Sequence, residues 1–285
     1  MPSDNHSRRP SARSLIDRFG YPHLLAGTLV LVTATILLGV AAKATGSGLA
    51  CEANWPQCDA GPFNLLPANL PSFYEWFHRF VAMFAGFAII GSAVAAWRSP
   101  TVDKRVTALV VLGMVLTPIQ VVLGWQTVTQ YTMDILSWHF WTAVLIFGLF
   151  VVATVLVWEN RLGPRHVTGA LALGAVSVPF HVLFSPPVIT DVTEYSPTVQ
   201  MVQYGVTLAV VAAAIVAPMV GRRRLENDRL SSYLTGTGVF AIVVVFLGRR
   251  TGMTLDPMID SLYLGTAGLL FVAFIAGIVL TKRAS

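Results

Sequence analysis

The chain has 285 residues, of which 55% are hydrophobic and only 12% are charged, and its formal net charge is +5. A soluble globular domain has roughly 25% charged residues, so this composition excludes a soluble enzyme, a disordered chain and a small disulfide-stapled domain. It indicates an integral membrane protein.

Eight apolar runs follow one another along the chain, and each is long enough to cross the roughly 30 Å hydrocarbon core of a bilayer as a helix. The residues before the first run, 1–21, are rich in Ser and Arg and predict a disordered, basic tail. The first run is too long for a signal peptide, so we expect it to remain as a span. The runs predict an all-α integral membrane protein with eight transmembrane helices, at 22–44, 73–97, 106–126, 133–158, 167–185, 198–220, 230–248 and 258–281.

The lysines and arginines predict the orientation of the spans. Most of the 19 lie in the tail, in alternate loops and after the last span, and the exceptions are Lys43, Arg79, Arg249 and Arg250. Because basic residues accumulate on the cytoplasmic side, we expect both termini in the cytoplasm of a multi-pass cell-membrane protein. Since these charges lie in loops between apolar runs, they do not indicate nucleic-acid binding.

A short motif repeats at a fixed distance. Leu123-Gly124-x-x-Thr127 recurs as Leu247-Gly248-x-x-Thr251, and Thr142-Ala143 recurs as Thr266-Ala267, each 124 residues later. Four spans enter from and return to the same side, so the two copies would be parallel repeats. We therefore expect two tandem, pseudo-symmetric four-helix bundles, one at residues 22–160 and one at 161–285.

The loop after the first span contains the only two cysteines, Cys51 and Cys58. The predicted orientation places this loop outside, where disulfides persist, and the six intervening residues allow a small ring. A structural disulfide and a redox-active pair are both compatible with the sequence, because the difference depends on thiol pKa and exposure. Two cysteines without a nearby histidine make a poor metal site.

Two histidines lie at the same depth in the first four spans. His78 is about six residues into the second span and His139 about seven residues into the fourth, so both lie about 10 Å from the outer surface. Imidazoles at one depth on two helices of a bundle can bind a haem iron from both faces. The competing interpretation is two buried histidines that hydrogen bond across helices.

Three further polar residues lie near this pair. Glu75 precedes His78 by three positions and shares its helix face, where a carboxylate could accept a proton; alternatively it is a solvated residue in a first helical turn. Arg79 and Lys43 lie at the same edge of the membrane. They could pair with haem propionates or extend to the lipid headgroups.

Together these segments resemble the haem A synthase family. The resemblance rests on Thr45-Gly46-Ser47-Gly48-Leu49 before the two cysteines, on Glu75-Trp76-Phe77-His78-Arg79, and on Leu123-Gly124-x-x-Thr127-Val128 before His139. The order, the spacing and the membrane side of the three segments agree with the family. The specific part of the resemblance is confined to the N-terminal half.

The resemblance implies a membrane-bound oxidoreductase that converts the C8 methyl group of haem O, through a hydroxymethyl, to the formyl group of haem A, with water as the oxygen source. It implies that His78 and His139 ligate the iron of the substrate haem, that Glu75 is the catalytic carboxylate, and that Cys51 and Cys58 form a disulfide. The expected partners are haem O, haem O synthase, subunits of a terminal haem–copper oxidase, membrane lipid and a second copy of the chain.

The second half departs from the family pattern. Two-copy members hold a haem b cofactor there on a second histidine pair, whereas here the repeat places Tyr263 opposite His139, and residues 198–204, opposite Glu75 and His78, contain no histidine. His181 has no counterpart in the first half, and a second haem on His181 is the less favoured alternative. We expect the second half to lack haem b and to serve as a scaffold or dimerisation surface.

Two other functions compete with haem oxidation. One is a non-catalytic haem-binding protein of oxidase assembly, and the other is a membrane cytochrome b that carries electrons. Glu75 argues against the first, because simple binding needs no carboxylate one turn from an iron ligand. The second usually needs two haems across the membrane, whereas both ligand candidates lie near the outer side.

Overall fold

The computed structural model describes residues 20–49, 67, 69–254 and 256–284 of the chain. In these residues the secondary structure is entirely helical, and no β-strand occurs. The predicted all-α fold is therefore confirmed. Most of the predicted basic tail, together with Cys51 and Cys58, lies outside the described residues. The eight long helices are α1 Tyr21–Ala44, α2 Leu70–Arg98, α3 Lys104–Thr129, α4 Met133–Val157, α5 Pro164–Leu183, α6 Pro197–Arg224, α7 Asp228–Thr254 and α8 Pro257–Ala284.

All eight helices are long and apolar enough to cross a membrane, as predicted, and the chain is a multi-pass membrane protein. Several helices continue beyond the limits predicted from hydropathy. The helix α6 includes Arg222, Arg223 and Arg224, and α7 continues through Arg249 and Arg250. Hydropathy falls at the first arginine, but the backbone hydrogen bonds of a helix continue into the interfacial region.

Polar residues at the loop ends define several helix starts. The side chain of Asn69 accepts a hydrogen bond from the backbone N–H of Ser72 at 2.9 Å, at the start of α2. Thr132 and Ser196 cap α4 and α6 in the same way. Such caps satisfy backbone donors that have no partner within the helix, so each span begins at a defined residue.

The helices pack as two groups of four. In the first group α1 and α3 each contact both α2 and α4, so α2 and α4 stand diagonally with α1 and α3 between them. In the second group α5 and α7 each contact both α6 and α8. The helix α6 also packs against α1 and α4 and thereby joins the groups. One short 3-10 turn, Ser47–Leu49, packs against the ends of α1, α2 and α3.

Candidate functional site

The ring of His78 on α2 packs against α1. A Cβ atom placed on Gly39 would lie 2.9 Å from Cε1 of His78, so a side chain at this position would displace the ring. One turn earlier on α1, the backbone of Thr35 hydrogen bonds to the imidazole. The Nδ1 atom of His78 is buried and has no hydrogen-bond partner among the residues that the structure describes. Gly39 therefore leaves the space that the imidazole occupies.

The ring of His139 on α4 packs in a similar way against α3. A Cβ atom placed on Gly124 would lie 3.1 Å from Cε1 of His139. The amide nitrogen of Gln120 lies 3.5 Å from Nε2 of His139, a long contact, and Nδ1 of His139 is buried without a partner. The amide oxygen of Gln120 is also buried without a partner. Unsatisfied polar atoms of this kind are rare in folded proteins and often mark a ligand site.

The two histidines lie on opposite sides of one helix group. His78 occupies the contact between α1 and α2, and His139 occupies the contact between α3 and α4. The helices that carry them are the diagonal pair of this group.

Glu75 is buried rather than solvated, with only 7% of its surface exposed. Its Oε1 atom lies 2.8 Å from Nε of Arg79, one helical turn later. Burial disfavours a charged carboxylate, and Arg79 supplies a close cation and a hydrogen-bond donor. Arg79 therefore holds Glu75 in place.

The segment Thr45–Leu49 covers this carboxylate. Gly46 adopts a left-handed backbone conformation with φ of 71°, which glycine reaches without strain. The hydroxyl groups of Thr45 and Ser47 lie 2.6 Å apart, and Ser47 is fully buried. A Cβ atom on Gly48 would lie 4.0 Å from Oε2 of Glu75. The two glycines of this motif thus form a tight turn directly beside Glu75.

Lys43 points towards the second helix group. Its Nζ atom lies 3.4 Å from Oε1 of Gln200 on α6. The backbone of Lys43 is one turn from Gly39, against which the His78 ring packs. The end of its side chain lies at the contact between the two groups. The sequence predicted that Lys43 lies at this edge of the membrane, but it did not indicate the contact with Gln200.

The second group contains a tyrosine–histidine pair at the corresponding position. Gly248 is the repeat of Gly124, and a Cβ atom on it would lie 2.8 Å from Cε2 of Tyr263 and 2.6 Å from Cε1 of His181. Nδ1 of His181 and the hydroxyl of Tyr263 are 2.6 Å apart, and the hydroxyl also donates to the carbonyl of His181 at 3.1 Å. Both residues are buried. His181 thus has a partner inside the protein.

Other polar side chains of the second group lie near the start of α6 and the end of α7. Arg249 donates a hydrogen bond to the hydroxyl of Tyr204, and Tyr195 donates one to Oε1 of Gln203. Burial raises the pKa of Tyr195, which lies in the loop before α6. The guanidinium of Arg249 also stacks on Phe140 of α4, 5.1 Å from its ring centroid. Neither Gln120 nor Arg249 was a predicted site residue. For Gln120 a signal was available in the sequence, because it lies one turn before Gly124 and precedes His139.

Comparison with known proteins identifies the segment that carries these residues. Residues 63–185 match the COX15-CtaA family of cytochrome oxidase assembly proteins. The COX15-CtaA segment comprises α2 to α5 and includes Glu75, His78, His139 and His181. The resemblance to the haem A synthase family is confirmed for this part of the chain.

Individual relatives match a similar portion of the chain. The haem A synthase of Bacillus licheniformis is 29% identical over 133 residues, which is 46% of this chain and 43% of that protein. That of Alkalihalophilus pseudofirmus is 30% identical over 142 residues, 49% of this chain and 46% of that protein. The protohaem IX farnesyltransferase of Halobacterium salinarum is 35% identical over 154 residues, 50% of this chain and 33% of that protein. The chain therefore spans less than half the length of these relatives.

Proposed function

We propose that the chain is a haem A synthase that oxidises the C8 methyl group of haem O to a formyl group. The observation that carries this proposal is that the diagonal helices α2 and α4 of one group hold His78 and His139 against the glycines of neighbouring helices. The buried carboxylate of Glu75 lies one turn before His78 on α2. The match of residues 63–185 to the COX15-CtaA family supports the proposal, as do the haem A synthases among the relatives.

The residues present suit a haem between the two imidazoles. Each ring has a buried nitrogen without a hydrogen-bond partner, and an unsatisfied buried polar atom costs about 1–3 kcal/mol. An iron ligated by both histidines gives each ring a strong partner. The Gly39 and Gly124 positions leave each ring the space it needs against the neighbouring helix.

The reaction proceeds in two oxidation steps. The methyl group and one water give a hydroxymethyl group, with release of two protons and two electrons; the hydroxymethyl group then gives the formyl group with release of two more of each. The electrons leave for an external acceptor, for which a membrane quinone is a suitable class. Glu75 is placed to accept a proton from the attacking water, and Arg79 orients its carboxylate.

We also propose the tandem architecture and the orientation. The starts of α3 and α7 are 124 residues apart, as are those of α4 and α8, and each group of four helices has the same packing order. In both groups the repeated threonine, Thr127 or Thr251, donates to the carbonyl of the repeated glycine. The second copy lacks the histidine pair for haem b and acts as a scaffold, and both termini face the cytoplasm.

Further proposals concern the outer loop and the partners. A Cys51–Cys58 disulfide closes the outer loop, and haem O synthase delivers the substrate. The match to a protohaem IX farnesyltransferase over one third of that protein supports such a link. Subunits of a terminal oxidase receive the haem A.

The decisive experiment is co-expression of the full chain with a haem O synthase in a host without its own haem A synthase. Extraction and chromatography of the pigments should show haem A. Glu75→Gln should retain bound haem O but yield no haem A, whereas the matched control Glu194→Gln, in an exposed loop, should yield as much as the wild type. Haem binding without haem A in the wild type would instead indicate the non-catalytic assembly function.

A further inference from the structure

A small polar cavity lies where the two helix groups meet. Its volume is about 30 Å³, and its walls include Lys43 of α1, Phe140 of α4, Gln200 and Tyr204 of α6, and Arg249 of α7. A cavity needs about 10–15 Å³ to hold one water molecule. The cavity therefore has room for a halide ion or the end of a carboxylate group. We call it the junction cavity.

The charges around the junction cavity are all positive. Lys43 and Arg249 both line the cavity. In the described part of the chain, the ion pairs are Glu75–Arg79 and Glu159–Arg223, so no described carboxylate reaches either cation. Lys43 is exposed at the end of α1, whereas Arg249 is partly buried, and a partly buried cation without an anion is costly. The site therefore lacks a negative charge that its environment favours.

One hydrogen-bond donor at the cavity has no acceptor among the described residues, and another has only a distant one. Nε of Arg249 is buried and has no partner, while the same guanidinium donates to Tyr204. Lys43 has three N–H donors, and its one side-chain contact is the long one to Gln200. The amide nitrogen of Gln200 is already bonded to the carbonyl of Tyr195 at 3.0 Å. An anion between the two cations would accept from the donors that remain.

Two aromatic rings lie against the guanidinium group of Arg249. Its guanidinium lies 5.1 Å from the centroid of Phe140 and 5.6 Å from that of Tyr204. Contacts of this kind orient a guanidinium and partly remove it from solvent. A preoriented, partly desolvated cation binds an anion more strongly than a mobile surface cation does.

We propose that the junction cavity binds one small monovalent anion, a halide or a carboxylate group, between Lys43 and Arg249. The anion has two sources with the same chemistry: a free ion, or a propionate of a haem held by His78 and His139. The second source rests on the proposed function. It is favoured by position, because Lys43 is one turn from Gly39, against which His78 packs, and Phe140 directly follows His139.

The first experiment tests binding of a free anion. The thermal unfolding midpoint of the purified full chain in detergent is measured as chloride replaces gluconate, a much larger anion, at constant ionic strength. The midpoint should rise and saturate with chloride in the wild type and in the matched control Arg250→Gln. It should not respond in Arg249→Gln or Lys43→Gln, and Arg249→Lys should retain part of the response.

The second experiment tests the propionate. Protohaem and its dimethyl ester, which has no free carboxylates, are titrated into the wild type and the same variants. If a propionate occupies the cavity, the wild type should bind protohaem at least about tenfold more tightly than the ester, and Arg249→Gln should abolish this preference. Equal responses of wild type, Lys43→Gln and Arg249→Gln in both experiments would overturn the proposal. A chloride response without haem A synthesis would contradict only the proposed function.

Discussion

The hydroxyl group of Tyr263 lies 2.6 Å from Nδ1 of His181, at the position where the repeat of 124 residues places the counterpart of His139. Both Gly124 and Gly248 have an aromatic ring directly above them, an imidazole in the first group and the Tyr263–His181 pair in the second. In the first group the ring nitrogen Nδ1 has no partner. In the second group the two side chains hydrogen bond to each other.

Tyr263→Phe should therefore leave the haem content of the protein unchanged. The substitution removes one hydrogen bond between buried groups, which in membrane proteins is worth about 1 kcal/mol, so the unfolding midpoint should fall slightly. Haem per chain is measured by pyridine haemochrome and the midpoint by thermal denaturation in detergent. Tyr131→Phe, at an exposed position, is the control that should change neither. Loss of haem from Tyr263→Phe would show that the second half does bind haem.

His78→Ala and His139→Ala should each lower the haem content by more than half, because the iron would lose one axial ligand and the ring would leave a polar cavity. The optical spectrum of the haem that remains should change from six-coordinate to five-coordinate. His166→Ala is the matched control: its imidazole accepts a hydrogen bond from the backbone of Gly163 at the start of α5, far along the chain from the predicted ligands. Unchanged haem spectra in both ligand variants would contradict the ligation.

The sequence predicts the spans well because one physical quantity, the apolar length needed to cross a bilayer, determines them. It also places His78 and His139 on particular helices at a common depth. It does not indicate which neighbour each ring meets, because Gly39, Gln120 and Gly124 reach the histidines only through the packing of helices. For the same reason Arg249, which stacks on Phe140 of the other group, looks from the sequence like an ordinary charge at a helix end.

Lys43 illustrates the same difference. Its proximity to the outer edge follows from its place near the end of the first span. Its contact with Gln200, 157 residues away, depends on the way α6 joins the two helix groups. Hydropathy and motif spacing describe each half separately and contain no information on this contact. The pairing of Cys51 with Cys58 stays a prediction, which mass analysis after thiol alkylation would test.

Gly39→Ala and Gly124→Ala should both reduce haem binding without removing a ligand. The new methyl groups would lie 2.9 Å and 3.1 Å from Cε1 of His78 and His139, so each ring must move. Gly86→Ala on α2 is the matched control, because no atom lies within 4 Å of its added Cβ. Alanine in an open helical position stabilises a helix by up to about 1 kcal/mol, so this control should keep its haem and unfold no earlier than the wild type. If all three variants bind haem equally, the two rings are not positioned by these glycines.

Arg79→Gln should reduce haem A formation while bound haem O persists, because Glu75 would lose the cation and donor that orient its carboxylate. Removing one partner of a buried ion pair costs about 3–5 kcal/mol, so the unfolding midpoint should also fall. The double variant Glu75→Gln with Arg79→Gln should recover part of the lost stability, since no uncompensated buried charge remains, but none of the haem A. Both quantities are measured on the same preparations, by pigment chromatography and thermal denaturation. Full haem A formation in Arg79→Gln would show that Glu75 acts without the ion pair, and full activity of the double variant would exclude Glu75 as the proton acceptor.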